Sequence, residues 1–243
     1  MKKAADVRKE LQSMADPEKA AILQRFFKAG LGQYGEGDIF IGVIVPKSRQ
    51  VAKKFSQLPL GEVRRLLHSR IHEERLVALL ILTRRYSGAS SSREEKEEIV
   101  KFYLDNIKQV NNWDLVDLSA PNILGAHLLA DRDDRRRLLY RLAGSENVWE
   151  RRIAILATHH FIRNGDFSDT LKIAEMLLQD RHDLIHKAAG WMLREVGKRD
   201  AASEEEFLEK HYSVMPRTML RYAIEKLPES NRRRYKKKPI GRY

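Results

Sequence analysis

The chain has 243 residues, 42% of them hydrophobic, which is enough to bury the core of one large or two small domains. It contains no cysteine, and this excludes disulfide frameworks, thiolate zinc sites and cysteine nucleophiles. No apolar run could span a bilayer, and the N-terminal residues MKKAADVRKE lack the apolar segment of an export signal, so we expect a cytoplasmic protein.

The balance of charge points to a polyanionic partner. Lysine and arginine number 46 against 34 aspartates and glutamates, a formal net charge of +12. Nucleic acid is the simplest polyanion that such a protein binds. Residues 228–243 hold seven of the basic residues and one acid. This basic tail is typical of a disordered, solvated segment that would add non-specific affinity for DNA, whereas residues 1–227 are expected to form one domain.

The spacing of the apolar residues predicts an all-α protein. Apolar residues recur at intervals of three and four, glycine and proline are sparse, and no stretch alternates with a period of two. Asp16 and Pro17 predict a helix start, and Gly30 predicts its end. A long glycine-rich loop at 31–45 precedes a helix that begins at Pro46. Further helices are predicted in pairs at 62–69 and 72–86, 92–108 and the helix of Trp113, 133–143 and 148–163, 168–179 and 183–198, and 203–212 and 216–227.

The second helices of these pairs resemble one another at intervals of about 34 to 38 residues, slightly shorter than the usual HEAT repeat of about 40. We therefore expect an α-solenoid of HEAT-like two-helix repeats, stacked into a superhelix with a concave wall. Equivalent positions of stacked helices would face the same wall. The aligned positions form a mainly basic stripe of Asp114, Arg152, Lys187 and Arg221.

One stretch, NWDLVD at 112–117, places an indole and a carboxylate on the same helix face. Trp113 and Asp117 are four positions apart, and therefore one helical turn apart. Pro121 follows closely and must kink or restart the helix, because proline removes a backbone donor and clashes with the preceding turn. We regard this pair as the candidate site of chemistry.

Three ordered motifs resemble a known family. They are WDLVD at 113–117, VWERRIAIL at 148–156 and KAAGWMLRE at 187–195, and they are similar to motifs of the AlkD-like family of DNA alkylation repair glycosylases. The resemblance covers roughly residues 15–227, and an opening motif of the family is matched by Gly42, Val43, Pro46, Arg49, Ala52 and Lys53.

The resemblance implies a HEAT-like fold whose concave surface holds duplex DNA. It implies a monofunctional glycosylase, without metal or cofactor, that hydrolyses the N-glycosidic bond of positively charged alkylated purines such as 3-methyladenine and 7-methylguanine. The expected partner is double-stranded DNA that contains alkylated bases, and the expected state is a monomer. Family members do not draw the base into a deep pocket, unlike most enzymes that act on bases.

Carried over by position, the resemblance implies that Asp117 is the catalytic carboxylate and that Trp113 and Trp191 flank the nucleotide that bears the lesion. Arg152 would hold the DNA backbone beside it. Asn112 stands where a well-known member has a second tryptophan, and Phe26 stands where it has a tyrosine. We expect further DNA contacts from Lys187, Arg194, Arg151, Lys47, Arg49, Lys53 and Phe26.

Simpler interpretations remain open for several of these residues. Asp117 could cap a helix restarted at Pro121, and Arg152 could pair with Asp117 and only orient it. His182 and His186 are one turn apart, as zinc ligands can be, but no third ligand is evident. Trp149 fits a buried helix start.

A second function class also remains, a non-catalytic helical-repeat protein that binds DNA structure or a protein partner. Because the chain keeps the aspartate and both flanking tryptophans, the sequence favours the enzyme.

Overall fold

The computed structural model of the protein describes residues 2–129 and 136–237, with side chains as far as Tyr235. These residues pack as two compact units, the first ending at Ile123 and the second beginning at Leu124. The described residues contain no β-strand, and a single parallel bridge joins Ile39 to Ile71. The prediction of an all-α protein is confirmed.

The first unit contains seven α-helices within the described residues. They are α1 (Ala4–Gln12), α2 (Pro17–Phe26), α3 (Val45–Lys54), α4 (Leu60–Leu67), α5 (His72–Tyr86), α6 (Arg93–Asp105) and α7 (Trp113–Ser119). The helix predicted at 92–108 is shorter than expected, because the chain continues after α6 as a 3-10 turn at Ile107–Gln109.

The second unit follows with eight helices among its described residues. They are α8 (Ala126–Leu129), α9 (Arg137–Ala143), α10 (Val148–Arg163), α11 (Ser168–Met176), α12 (Asp183–Gly197), α13 (Ala201–His211), α14 (Arg217–Ala223) and α15 (Glu229–Lys237). The predicted bounds of the helices at 72–86 and 148–163 are confirmed. The predicted start at Asp133 lies outside the described residues.

Helix α5 forms the centre of the first unit. Its residues 76–82 are all apolar and all buried, as expected of a helix that is hydrophobic on every side. It packs against α1, α3, α4, α6 and α7. Because α5 is surrounded, the polar residues of its first turn are buried as well. These residues are His72, Glu73, Glu74 and Arg75.

The loop between α2 and α3 is fixed by one of these residues. The carboxylate of Glu73 accepts hydrogen bonds from the backbone N–H groups of Ile41, at 3.1 Å, and Gly42, at 2.9 Å. Gly42 has φ +83, and a Cβ atom at this position would lie 2.1 Å from the carbonyl oxygen of Asp16. Only glycine therefore allows the loop to pass this close to the start of α2.

The helices of the second unit pack mainly against α10 and α12. Helix α12 packs against α10, α11, α13 and α14, and α9 and α11 pack against α10. At Gly190 the approach of α12 to α14 is so close that a Cβ would lie 2.3 Å from the carbonyl oxygen of Met219. Trp149 is 8% exposed and belongs to the core of this unit, which confirms its predicted structural role.

The chain changes its helical geometry after α7, as Pro121 predicts. Residues Pro121–Gly125 form a π-helical turn before α8. Proline has no backbone N–H to donate and clashes with the preceding turn, and a wider turn of this kind relieves that clash. The helical geometry therefore changes at the proline where the sequence predicts a kink or restart.

The basic tail differs from the prediction of a disordered segment over part of its length. Residues Glu229–Lys237 form α15, and Tyr235 is 2% exposed. Its hydroxyl donates a hydrogen bond to Glu209 at 2.9 Å, and its ring lies edge-on to Tyr212. The buried ring of Tyr235 packs this segment against the preceding part of the chain, a contact that a count of charges does not predict. Lys238 and the residues after it lie outside the described residues.

No helix in the described ranges has the length and apolar character needed to cross a membrane.

The loop geometry predicts that Gly42→Ala will destabilise the protein by about 2 kcal/mol or more, because alanine is strained at positive φ and its Cβ overlaps a backbone oxygen. Urea unfolding followed by circular dichroism measures this change. Gly61→Ala is the matched control: Gly61 lies in α4, where a Cβ would meet no atom within 4 Å. We expect it to stabilise the protein slightly, by about 0.5 kcal/mol. Equal effects of the two substitutions would contradict the proposed role of Gly42.

Candidate active site

Helix α7 carries the first two candidate residues. Asn112 caps it, accepting a hydrogen bond from the backbone N–H of Trp113 at 2.8 Å. Trp113 occupies the first position of the helix, and Asp117 follows one turn later, with both side chains half-buried. Both side chains are therefore positioned by the placement of this short helix.

The indole of Trp113 belongs to a group of aromatic rings. It stacks on Phe27 with ring centroids 5.0 Å apart and an angle of 12° between the planes. Phe26 meets it edge-on at 5.9 Å. Phe27 in turn stacks on Phe40 at 4.9 Å. Phe26, expected to contact DNA, is 61% exposed, so its ring lies at the surface beside Trp113.

Beneath α7 lies a buried polar network centred on the carboxylate of Asp38. Asp38 accepts hydrogen bonds from His72 Nδ1 at 3.0 Å and Asn112 Nδ2 at 3.0 Å, and it pairs with the guanidinium of Arg75. The other nitrogen of His72, Nε2, donates to Asp114 at 2.8 Å. The network therefore connects the loop after α2, the start of α5 and the start of α7.

His72 is protonated at neutral pH. Burial disfavours the charged imidazole, but the hydrogen bonds to Asp114 and Asp38 outweigh it and raise the pKa of His72 to about 9. Burial also opposes ionisation of Asp38, yet the hydrogen bond from His72 and the charge of Arg75 lower the pKa of this carboxyl group. Buried charges of opposite sign thus compensate one another.

Asp38, His72 and Arg75 are not among the candidate residues predicted from the sequence. A signal was present, because the ionisable run at 72–75 immediately precedes the apolar run at 76–82. A helix that is apolar on all sides is central, so ionisable residues one turn earlier must be buried and need partners. The pattern does not show which residues are those partners.

In the second unit Trp191 is held by its own helix. Its Nε1–H donates to Glu195 at 3.1 Å, one turn further along α12. Burial opposes ionisation of Glu195, but a hydrogen bond from Lys198 at 2.6 Å outweighs it, and the pKa of Glu195 is lowered. The ring of His159 lies 5.7 Å from the indole. Burial, together with the charge of Arg163, lowers the pKa of His159 to about 4, so this imidazole is neutral.

The two adjacent arginines of α10 both contact other parts of the second unit. Arg152 is 5% exposed and donates to the carbonyl oxygen of Leu184 at 2.6 Å, in the first turn of α12, the helix that carries Trp191. Arg151 pairs with Asp180 at 2.6 Å and donates to the carbonyl oxygen of Ser145 at 2.8 Å. These contacts brace the turns around α10.

The other cations expected at the DNA differ in their availability. Lys187 pairs with Asp183 at 2.7 Å, and Arg194 pairs with Glu225. By contrast, three exposed cations of α3 form no ion pair with another described residue; they are Lys47, Arg49 and Lys53. Arg49 and Lys53 are one turn apart and share a face of α3.

The paired histidines have structural contacts. His182 caps α12 by accepting the backbone N–H of Leu184 at 3.2 Å, and His186 Nε2 donates to the carbonyl oxygen of Asp180 at 2.6 Å. In the ranges that the structure describes, no cluster of three or more histidines and acids is arranged to hold a metal ion.

A family model described as "DNA alkylation repair enzyme" matches residues 7–227 of the chain. The chain therefore belongs to the family of DNA alkylation repair enzymes, which places it in DNA repair and in contact with DNA. The match spans α7, α10 and α12, the helices that carry the candidate residues. Comparison with curated proteins finds no match.

A solved structure, "Predicted DNA alkylation repair enzyme from Enterococcus faecalis", is similar to this chain with a TM-score of 0.68 and 20% sequence identity. The likeness covers 89% of this chain and 98% of that one. At this identity the similarity shows a shared fold.

The network around Asp38 predicts that Asp38→Asn will cost about 3 kcal/mol of unfolding free energy, because it leaves His72 and Arg75 buried with one negative charge fewer. Urea unfolding at neutral pH measures the change. Asp105→Asn, at an exposed aspartate paired with Lys101, is the control and should change the free energy by less than about 0.5 kcal/mol. A loss at Asp38 no greater than that at Asp105 would show that the network contributes nothing to stability.

Proposed function

We propose that the protein is a monofunctional DNA glycosylase that excises positively charged alkylated purines, such as 3-methyladenine and 7-methylguanine, from duplex DNA. The observation that carries this proposal is the arrangement of α7. A half-buried carboxylate and a half-buried indole stand one turn apart on a short helix that a buried ion network anchors. This helix lies within the part of the chain that matches the repair family.

Asp117 is the proposed catalytic carboxylate. Alkylation makes the purine a cation and a good leaving group, so the remaining task is to stabilise the oxocarbenium-like sugar as the glycosidic bond breaks. A carboxylate about 4 Å away at an effective dielectric constant near 20 contributes on the order of 4 kcal/mol, roughly a thousandfold in rate. The same carboxylate would position the attacking water and accept its proton, so that the water oxygen bonds to the sugar carbon while the purine departs with the electron pair of the glycosidic bond.

Trp113 and Trp191 are proposed to flank the nucleotide that bears the lesion. Indole faces attract cations by about 1 to 2 kcal/mol when water is excluded. This attraction favours a cationic sugar or base over a neutral one. Each indole is fixed within its own unit, Trp113 by the ring of Phe27 and Trp191 by the carboxylate of Glu195, so neither must be ordered when DNA binds.

The phosphate contacts are proposed to be unequal. On α3, Lys47, Arg49 and Lys53 can bind phosphates without breaking an ion pair, whereas Lys187 and Arg194 must exchange a carboxylate for a phosphate. The α3 cations should therefore contribute more of the electrostatic affinity, which arises from counterion release. Arg152 and Arg151 are proposed to act at the DNA backbone, and Phe26 beside Trp113.

We also propose that the helix pairs stack as HEAT-like repeats around duplex DNA. The side-by-side packing of α10, α12 and α14 supports this arrangement, since these are the second helices of successive pairs. We expect the enzyme to act as a monomer in the cytoplasm.

The proposed chemistry predicts that Asp117→Asn will slow base release by about a hundredfold or more, because the amide keeps the shape of the carboxylate but not its charge. The measurement is the single-turnover release of 7-methylguanine from a duplex with one lesion, together with binding of the same duplex.

Asp105→Asn serves as the control for the loss of a carboxylate at a surface position, and it should release base at the parent rate. If neither parent nor variant releases base while both bind the duplex, the non-catalytic DNA-binding function replaces the proposed one. Equal release by parent and Asp117→Asn would remove Asp117 from the mechanism.

The unequal availability of the cations predicts a difference in salt dependence. The double variant Arg49→Gln/Lys53→Gln should weaken duplex binding irrespective of sequence and reduce the slope of log affinity against log salt by about 2, one for each lost phosphate contact. Lys187→Gln should reduce it by clearly less than 1. Fluorescence anisotropy over a series of salt concentrations measures both slopes.

Lys101→Gln provides the background for this experiment, since Lys101 is exposed and paired with Asp105 within α6. A slope for the α3 double variant that equals the slope for Lys101→Gln would place the phosphates elsewhere on the protein.

A further inference from the structure

We propose that His72 is a positioning residue for the base excision proposed above, because its imidazolium holds α7 and therefore Trp113 and Asp117 in place. The catalytic consequence of this inference rests on the proposed function. The positioning itself depends only on contacts within the first unit, and it can be measured without any DNA.

His72 is connected through carboxylates to the residues on both sides of Trp113. Its Nε2–H donates to Asp114, the residue after Trp113, and Asp114 also accepts the backbone N–H of Leu115 at 2.8 Å. Its Nδ1–H donates to Asp38, which accepts the amide of Asn112, the residue before Trp113. A single ring with two donors thus fixes the first turn of α7 from both directions, and a neutral imidazole, with one donor, cannot do so.

The same ring also supports the aromatic group beneath Trp113. His72 lies 4.5 Å from Phe40, nearly parallel to it, and 5.0 Å from Phe27. Phe27 is the ring on which Trp113 stacks. A cation beside aromatic faces is attracted to them, so the charge of His72 favours the packing of the rings as well as the hydrogen bonds.

The groups that face His72 are Asp38 from the loop, Arg75 from α5 itself and Asp114 from α7, along with two uncharged phenylalanines. Arginine stays charged at all accessible pH values, and carboxylates ordinarily ionise far below pH 7. Between about pH 7 and 10 the imidazole is therefore the group that changes its charge. Its pKa, ordinarily 6.5, is raised to about 9. The contribution of the charged imidazole to the stability of the folded protein is thus fully present below about pH 6.5, and it is lost as the pH rises through about 9.

The test uses the full chain labelled with 5-fluorotryptophan and fluorine NMR. Its three tryptophans give three resonances, and the Trp113→Phe variant identifies the signal of Trp113 by its loss. The signals of Trp149 and Trp191, which lie in the second unit, are internal references. We expect the Trp113 signal alone to shift between about pH 7 and 10, with a midpoint near pH 9.

Two variants separate charge from fold. In His72→Gln the Trp113 signal should have the chemical shift that the parent shows at high pH, and this shift should no longer change with pH. In Asp114→Asn, which keeps an acceptor oxygen for Nε2–H but loses the charge, the midpoint should move to lower pH. His68→Gln is the matched control, since His68 contacts Asn106 at 2.9 Å and no aromatic ring of this group. It should titrate like the parent.

Single-turnover release of 7-methylguanine near neutral pH provides the catalytic measurement. We expect His72→Gln to lower the rate constant roughly tenfold or more, since positioning acts on the chemical step, and to change the duplex dissociation constant less than about threefold. A merely structural role would lower the folded fraction and leave the rate of the folded enzyme unchanged.

The outcomes distinguish the two proposals. If the Trp113 signal neither titrates in the parent nor moves in Asp114→Asn, the positioning role of His72 is overturned, whatever the activity. If the signal behaves as expected but the parent releases no base, the proposed glycosylase function fails and the positioning of α7 by His72 stands. The titration of the parent and of Asp114→Asn needs no variant of His72, so an unstable His72→Gln protein does not prevent the decision.

Discussion

The first unit depends on one buried carboxylate. Asp38 accepts hydrogen bonds or an ion pair from His72, Arg75 and Asn112, and it therefore joins the loop after α2 to α5 and α7. An ionised group without partners would be very costly in this position. The partners must consequently be present together, and α7 cannot shift without breaking a buried, compensated set of charges. The placement of Trp113 follows from that condition, since Trp113 begins the helix that the network contacts.

The two indoles that are proposed to flank the lesion are fixed by different kinds of interaction. Trp191 is held by Glu195, one turn away on the same helix, so its orientation is a local property of α12. Trp113 is held by rings and charges from three separate segments of the chain. Its orientation is therefore lost when the tertiary structure of the first unit is lost, whereas a local hydrogen bond can form whenever the helix does.

The net charge of the protein does not tell how many of its cations can bind phosphate without first breaking an ion pair. A surplus of cations predicts a polyanionic partner, and membership of the repair family agrees with DNA. Many of the cations nevertheless have intramolecular partners: Arg151 braces two turns, and Arg194 pairs with Glu225. Three cations of α3, Lys47, Arg49 and Lys53, have no ion pair among the described residues. Because an ion pair must be broken before its cation can bind phosphate, the distribution of partners, and not the total charge, indicates which surface meets DNA.

The sequence by itself determined the helical class, the bounds of the helices at 72–86 and 148–163, the change of geometry at Pro121 and, through its motifs, the family. Apolar spacing and proline chemistry are local and can be read without coordinates. It did not reveal the partners of His72, the helix around Tyr235 or the ion pairs of Arg151. These depend on which distant residues meet: Asp38 and His72 are separated by 34 positions and Tyr235 and Glu209 by 26. Only the tertiary structure decides such contacts, because a buried charge or hydroxyl group can be satisfied by any suitable partner that the fold brings close.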